Sequence, residues 1–267
     1  MGISLENIRR DIRMYKETDR QMSSLWILVY IIPIIIAVIY VGYVFGVMLS
    51  YILEIGSGSS SSYFNYGSYP AIVPDLISII VITGIANVVL NVVLLYLLVN
   101  RRGTHFKRQK FLYEDITSVT NSLAKIKNVE SESGLSSIER TVREADTEET
   151  SKDAVLFAIL AVFIPFFVFY VYYFLMKDFY KHEQRENWFW RDLSMTLNKL
   201  DINFSVPRRT EDMPDRSFAL YFVLTLITAG LFGVYWLYVL LNDPNEHFKY
   251  HIGIEKQLLN ALETVAT

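Results

Sequence analysis

Four long stretches almost free of charge limit what this chain can fold into. Leu25 to Leu53, Ala154 to Met176 and Ser217 to Leu241 carry no charged residue, and Ala71 to Val99 carries only Asp75. Each exceeds the roughly 20 residues that cross a ~30 Å hydrocarbon core as a helix. Inside a bilayer no water satisfies the peptide groups, so runs of this kind demand helix. They are continuous, unlike the short alternating segments of a membrane barrel. The chain is 52% hydrophobic and 15% aromatic, more apolar than a water-soluble domain of this length. The fold class that follows is all-α: a polytopic membrane protein with four membrane-embedded segments, about 25–53, 71–99, 154–176 and 217–241, and no separate soluble domain.

Orientation follows from lysine and arginine. The lead to Ser24 carries Arg9, Arg10, Arg13, Lys16 and Arg20, the Gly/Ser/Tyr-rich loop at 54–70 carries none, and Asn100 to Asp153 carries ten. The expected arrangement in a multi-pass cell-membrane protein is a cytoplasmic N-terminus, an outside 54–70 loop and a cytoplasmic 100–153 connector. The long first run after its basic lead suits a signal anchor, not a cleaved leader. Simple alternation would then put Lys177 to Arg216 outside, although it carries eight Lys or Arg. Four full spans are the expectation. The alternative is that Pro165 and the Gly230/Gly233 pair break the last two runs into reentrant halves.

A repeat runs through the chain. Tyr96, Tyr173 and Tyr238 near the ends of three apolar runs are each followed nine residues later by a histidine, His105, His182 and His247, and then by Ile116, Leu193 and Leu258 at matched places. The third and fourth runs align at an offset of 65, with Pro165 facing Gly230 and Asp178 facing Asp243. A fainter echo links Asn7-Ile-Arg-Arg-Asp-Ile-Arg to Ser137-Ile-Glu-Arg-Thr-Val-Arg. The reading is an internal duplication, with a first membrane repeat at 1–132 and a second at 133–267.

Thr228-Ala-Gly-Leu-Phe-Gly-Val-Tyr-Trp-Leu-Tyr followed by Asn242-Asp243 resembles the Thr-x-Gly-Ile-Tyr-Gly-x-Tyr-Trp signature of a small prokaryotic membrane domain of unknown function. The resemblance covers about thirty residues. Leu231-Phe232 stands in place of Ile-Tyr, and the third run has lost both glycines. It implies a membrane domain and no particular activity.

The polar segments read as amphipathic helices. In the helix at 105–129, Leu112, Ile116, Val119, Leu123 and Ile126 recur at spacings of four and three, an apolar stripe between polar residues. Ile8, Ile12 and Tyr15, and Leu193, Leu197 and Leu200, repeat the pattern. The expectation is membrane-lying helices with basic residues near lipid phosphate. A coiled-coil contact with another subunit is the alternative. Glu139 to Asp153 reads as a solvated acidic linker.

Three constellations are candidates for chemistry. Thr83, Asn87 and Asn91 form an intramembrane polar face, read as hydrogen bonding between helices, with a lining for an ion or substrate path as the alternative. His247, His251 and Glu255 have a spacing that can hold a metal, but HExxH is absent and one repeat alone has the second histidine, so interfacial histidines near phosphates are expected and no metal ligand is assigned. The aromatic residues Phe166 to Phe174 and Trp188-Phe-Trp190 read as interface anchors. No cysteine is present, and no phosphate loop, nucleophile elbow or carboxylate pair appears. A net charge of −3 gives no reason to invoke nucleic acid. The expected function is a non-enzymatic structural or interaction subunit without cofactor, whose partners are membrane lipid, a second copy of itself or other membrane proteins. The alternative is a channel or transporter subunit using the second-run polar face.

Overall fold

The computed structural model describes residues 2–56, 69–129, 132–209 and 211–266, and every regular element among them is helical. Most of the 54–70 loop therefore lies outside the described residues. The chain divides into two compact units, one formed by residues 1–24 and 95–267, the other by residues 25–94. This division differs from repeats at 1–132 and 133–267. Compactness follows contacts, and amphipathic stripes from both halves of the chain share one core.

In the 25–94 unit, a 3-10 turn at Ser24–Ile27 leads into α3 (Leu28–Gly56), which runs unbroken through Pro33, and α4 (Tyr69–Lys127) begins here. Its apolar surface is open: Val38, Ile39, Phe45, Ile82 and Ile85 are each more than 60% exposed. Thr83, Asn87 and Asn91 are half-buried. Asn87 Nδ2 donates to the Val29 carbonyl at 2.9 Å, and Asn91 Nδ2 donates to the Asn87 carbonyl at 2.9 Å. Ser24–Ser50 and Ile77–Lys127 are, among the described residues, the two helices long and apolar enough to cross a membrane, with mean hydropathies of 2.7 and 2.4 in their most apolar stretches.

The third and fourth apolar runs are each broken after ten residues into a short helix and a longer one, forming two helical hairpins. α6 (Ala154–Phe163) starts on Asp153, whose carboxylate accepts from the Val155 and Leu156 N–H groups. It stops at extended Ile164, because Pro165 has no N–H to offer a continuing helix and Phe166 is left-handed at φ 63°. α7 (Phe167–Lys199) leads away. α8 (Phe218–Ile227) ends where Ala229 and Gly230 take φ 49° and 94°. The Gly230 N–H donates to Thr225 O at 2.8 Å and the Ala229 N–H to Leu226 O at 3.1 Å, the paired bonds of a Schellman stop. α9 (Leu231–Ala266) follows. A ten-residue helix rises about 15 Å, half a hydrocarbon core. Each short helix lies back on its successor: the Phe157 and Phe174 rings meet at 5.3 Å and the Tyr221 and Trp236 rings at 5.6 Å.

The remaining elements of the larger unit are α1 (Gly2–Arg13), α2 (Tyr15–Thr18) and α5 (Glu132–Glu148). Here the amphipathic stripes find one another. Leu112, Ile116, Val119 and Leu123 of α4 are at most 3% exposed. They share a core with Ile8 and Ile12 of α1, Leu193 and Leu197 of α7, and Leu258 and Leu262 of α9. Ile126 is the exception in the stripe, 69% exposed. The stripe thus faces this chain's own helices and not a bilayer surface. An isolated amphipathic helix buries its apolar face best against lipid, but several on one chain bury more against each other.

Candidate metal centre

All four histidines of the chain meet at one point. Equal spacing from the repeated tyrosines puts His105, His182 and His247 at the same register on α4, α7 and α9, and packing the three stripes together turns them inward. One turn further on, Glu186 and His251 point to the same place. One ligand atom from each of these five residues lies within 4.8 Å of all the others, and the histidines are 0–2% exposed. The histidines are therefore not at a lipid interface, which corrects the sequence reading. Residues that look interfacial when each helix is taken alone become central when α4, α7 and α9 pack.

The geometry inside is specific. His251 Nε2 lies 2.7 Å from Glu186 Oε2, and His182 Nε2 lies 2.9 Å from Glu186 Oε1 without hydrogen-bond geometry. His247 Nε2 is 3.4 Å from Glu186 Oε2 and 3.3 Å from His105 Nε2. Donors about 2.0–2.2 Å from one ion stand roughly 3.0–3.4 Å from their neighbours around it, so these separations suit donors about a single cation.

Each imidazole is held from behind by a different carboxylate. Nδ1 of His105 lies 3.0 Å from Asp19, that of His182 2.7 Å from Glu149, that of His247 3.0 Å from Glu183, and that of His251 3.2 Å from Glu255. An ionised carboxylate only accepts, so Nδ1 of His105, His182 and His247 carries hydrogen, and a neutral ring then presents Nε2 as a lone pair; Nδ1 of His251 lies closer to the Gln109 side-chain amide, at 2.5 Å, than to Glu255. This carboxylate–histidine arrangement fixes and strengthens imidazoles as metal ligands. Guanidiniums in turn hold the carboxylates. Arg108 bridges Asp19 at 2.6 Å and Glu255 at 2.9 Å, Arg185 binds Glu149 at 2.6 Å, and Arg209 binds Glu183 at 2.6 Å. The Tyr113 hydroxyl donates to Glu186 at 2.7 Å. Aromatic rings wall the site: Phe106 stacks on His182 at 4.2 Å, and Phe248 lies 4.5 Å from His105.

Charge completes the picture. Glu186 and the four backing carboxylates meet three guanidiniums, leaving two negative charges if every histidine is neutral. Burial works against a charged His182, but Glu186 and Glu149 override it and push its pKa up to about 9. Burial likewise opposes a charge on His251, yet Glu186 and Glu255 raise it. Burial keeps His105 down at about 4 despite Asp19, and holds His247 well below the usual range. Without an ion, two protons balance the site. A divalent cation would do the same and would also fill the space between the His105 and His247 lone pairs.

Sequence reading singled out the His247/His251 spacing and assigned no metal ligand. It missed Asp19, Glu149, Glu183 and Glu186 altogether. The signal was the common nine-residue offset, since equal register on helices that pack by the same face brings equal residues together. Thr83, Asn87 and Asn91 belong to the 25–94 unit and take no part. No protein-family model, characterised protein or solved structure matches the chain.

Proposed function

We propose that this chain is a membrane-anchored metalloprotein in which one divalent first-row transition ion ties α4, α7 and α9 together. The observation that carries the reading is the 3.3 Å approach of His105 and His247, Nε2 to Nε2, with each Nδ1 committed to a carboxylate. Two neutral lone pairs at that distance repel unless a cation lies between them. Four imidazoles favour iron, nickel, copper or zinc over magnesium or calcium. Four nitrogens with a two-oxygen carboxylate supply six donors, which suits iron(II) and leaves no open position for substrate. A closed site of this kind supports a non-enzymatic role, as a structural or interaction subunit whose polar helices the ion locks into one arrangement.

Two apolar helices and two hairpins fit a bilayer anchor. If both hairpins dip in and return, Lys177 to Arg216 with its eight basic residues stays on the inner face beside 100–153, which removes the conflict with the positive-inside rule. The shared break after ten residues in the third and fourth runs and the matched histidines support descent from a duplicated unit.

The test is metal content. Protein purified without chelator or nickel resin should carry about one transition ion per chain, and ion-free protein should take up one Co2+ with visible d–d absorption. His105→Ala and His182→Ala should abolish both. A wild-type protein that holds no transition ion and takes up no Co2+ overturns the reading.

A further inference from the structure

The ligands are buried, yet one route leads toward them. A cleft of about 1030 Å3 has Glu183 and His247 in its inner wall, with Arg209, Glu211, Asp212 and Glu246 among the residues around it. None of the other four ligand residues lines it. An ion reaching the centre from this side meets Glu183 first, then Glu186.

Arg209 stands at that place. Its Nη1 binds Glu183 Oε2 at 2.6 Å, and its Nη2 is 3.6 Å from Glu186 Oε2. The side chain is 8% exposed, yet Nε and Nη2 make no hydrogen bond. The guanidinium carbon rests 3.8 Å over the Tyr250 ring, and the Tyr250 hydroxyl donates to the Pro207 carbonyl at 3.2 Å. A guanidinium normally uses its fork of donors fully when buried. Arg108 does so, bridging two carboxylates. Arg209 is held by one carboxylate, a ring face and the local negative charge. Glu183 Oε2 is also the partner of His247 Nδ1, so one oxygen serves both the arginine and a ligand.

Resting on the metal reading above, we propose that Arg209 is the gate of the centre: it occupies the inner end of the cleft as a stand-in cation and swings out toward Glu211 and Asp212 when a divalent ion passes. An arriving ion takes over the attraction of Glu183 and Glu186, which releases the arginine without leaving those carboxylates unpaired. The gate acts on the rates of uptake and release, and because Arg209 also pairs with Glu183 behind His247 and lies beside Glu186, its loss changes affinity as well.

Stopped-flow Co2+ uptake by the ion-free full chain, and Co2+ release to excess EDTA, test this. Arg209→Ala should speed both by about tenfold or more. Arg209→Lys should fall between. If Arg209→Ala does not fold, Tyr250→Leu removes the ring under the guanidinium and should accelerate both rates severalfold. Glu211→Lys, which reverses charge at the mouth, should slow uptake most at low salt. Normal cobalt content with wild-type rates in the folded Arg209 or Tyr250 variant overturns the gate and leaves the metal reading intact. A wild-type chain that takes up no Co2+ overturns both.

Discussion

His105 and His247, 142 residues apart in the chain, point their Nε2 atoms at each other across 3.3 Å while Asp19 and Glu183 hold their opposite nitrogens. Neither ring can turn to relieve the approach without giving up a buried carboxylate. On the proposed reading the pair is preorganised for a cation between them, and the dependence of stability on metal and on pH follows from it.

Removing the ion should loosen the larger unit. At free ion a thousandfold above Kd, binding adds about 4 kcal/mol to the folded state. Thermal denaturation in detergent should show a fall in Tm of several degrees on chelation, restored by Co2+ or Zn2+. His182→Ala should have the low Tm already and not respond to either treatment.

The effect of pH should differ between ion-free and loaded protein. In the ion-free protein His182 is raised to about 9, so its stabilising contribution is complete below its ordinary 6.5 and is lost as pH rises through about 9. Glu186 is depressed, so its contribution is present above its ordinary 4.5 and lost only on acidification. Ion-free protein should therefore be less stable at pH 9 than at pH 6. In the loaded protein the deprotonated ring is the ligand, and affinity rises over the same range. The Tm difference between the two forms should widen from pH 6 to pH 9, and a difference that narrows would count against the assignment.

Arg108 should be among the costliest single residues to replace. Its guanidinium is fully buried and is the shared partner of Asp19 and Glu255. Arg108→Met leaves two buried carboxylates without their cation, and breaking a buried pair in this way costs about 3–5 kcal/mol. Denaturant titration should show it. A lysine cannot span both carboxylates, so Arg108→Lys should recover part of the loss; full recovery would mean that the bridge is unimportant.

The apolar stripe of α4 offers a paired test. Leu123 is 2% exposed in the core and Ile126 is 69% exposed. Leu123→Glu buries a charge without a partner and should cost several kcal/mol, about 3 or more, whereas Ile126→Glu should stay within about 0.5 kcal/mol. If the stripe instead served a lipid surface, Ile126→Glu would weaken vesicle binding and Leu123→Glu would leave stability nearly unchanged.

Single cysteines, easily placed in a chain that has none, report sidedness. Ser60→Cys should react with an impermeant maleimide on intact cells, and Ser122→Cys only after lysis. Asn203→Cys decides between hairpins and spans: protection on intact cells fits hairpins, while labelling there would require the third run to cross.

Much of the architecture was legible in the sequence. Helix was forced by continuous apolar runs, and the 112–123 stripe was visible as a spacing pattern. Pro165 and Gly230 marked where the last two runs break, but a proline kink and a reversal look alike until the following residue is known to be left-handed, as Phe166 is. The centre was harder. Its ligands come from three helices, and its backing carboxylates from α7, α9 and segments as remote as Asp19 and Glu149, with no short motif among them. Only the equal offsets from Tyr96, Tyr173 and Tyr238 encoded the convergence, and an offset has meaning only once the helices are known to face each other.

If both hairpins enter a bilayer, as proposed above, they bear on how such a chain would reach it. A segment that crosses must carry whatever follows it to the far side, and for the third run that would be a stretch with eight lysines and arginines. A segment that turns back at mid-depth moves nothing across. Its reversal must instead arrive with its peptide groups already paired, as the Gly230 and Ala229 N–H bonds to Thr225 and Leu226 provide. On the proposed reading the second half of the chain settles into the bilayer from one side, as preformed helical wedges, with no demand on the translocation machinery beyond the two long apolar helices.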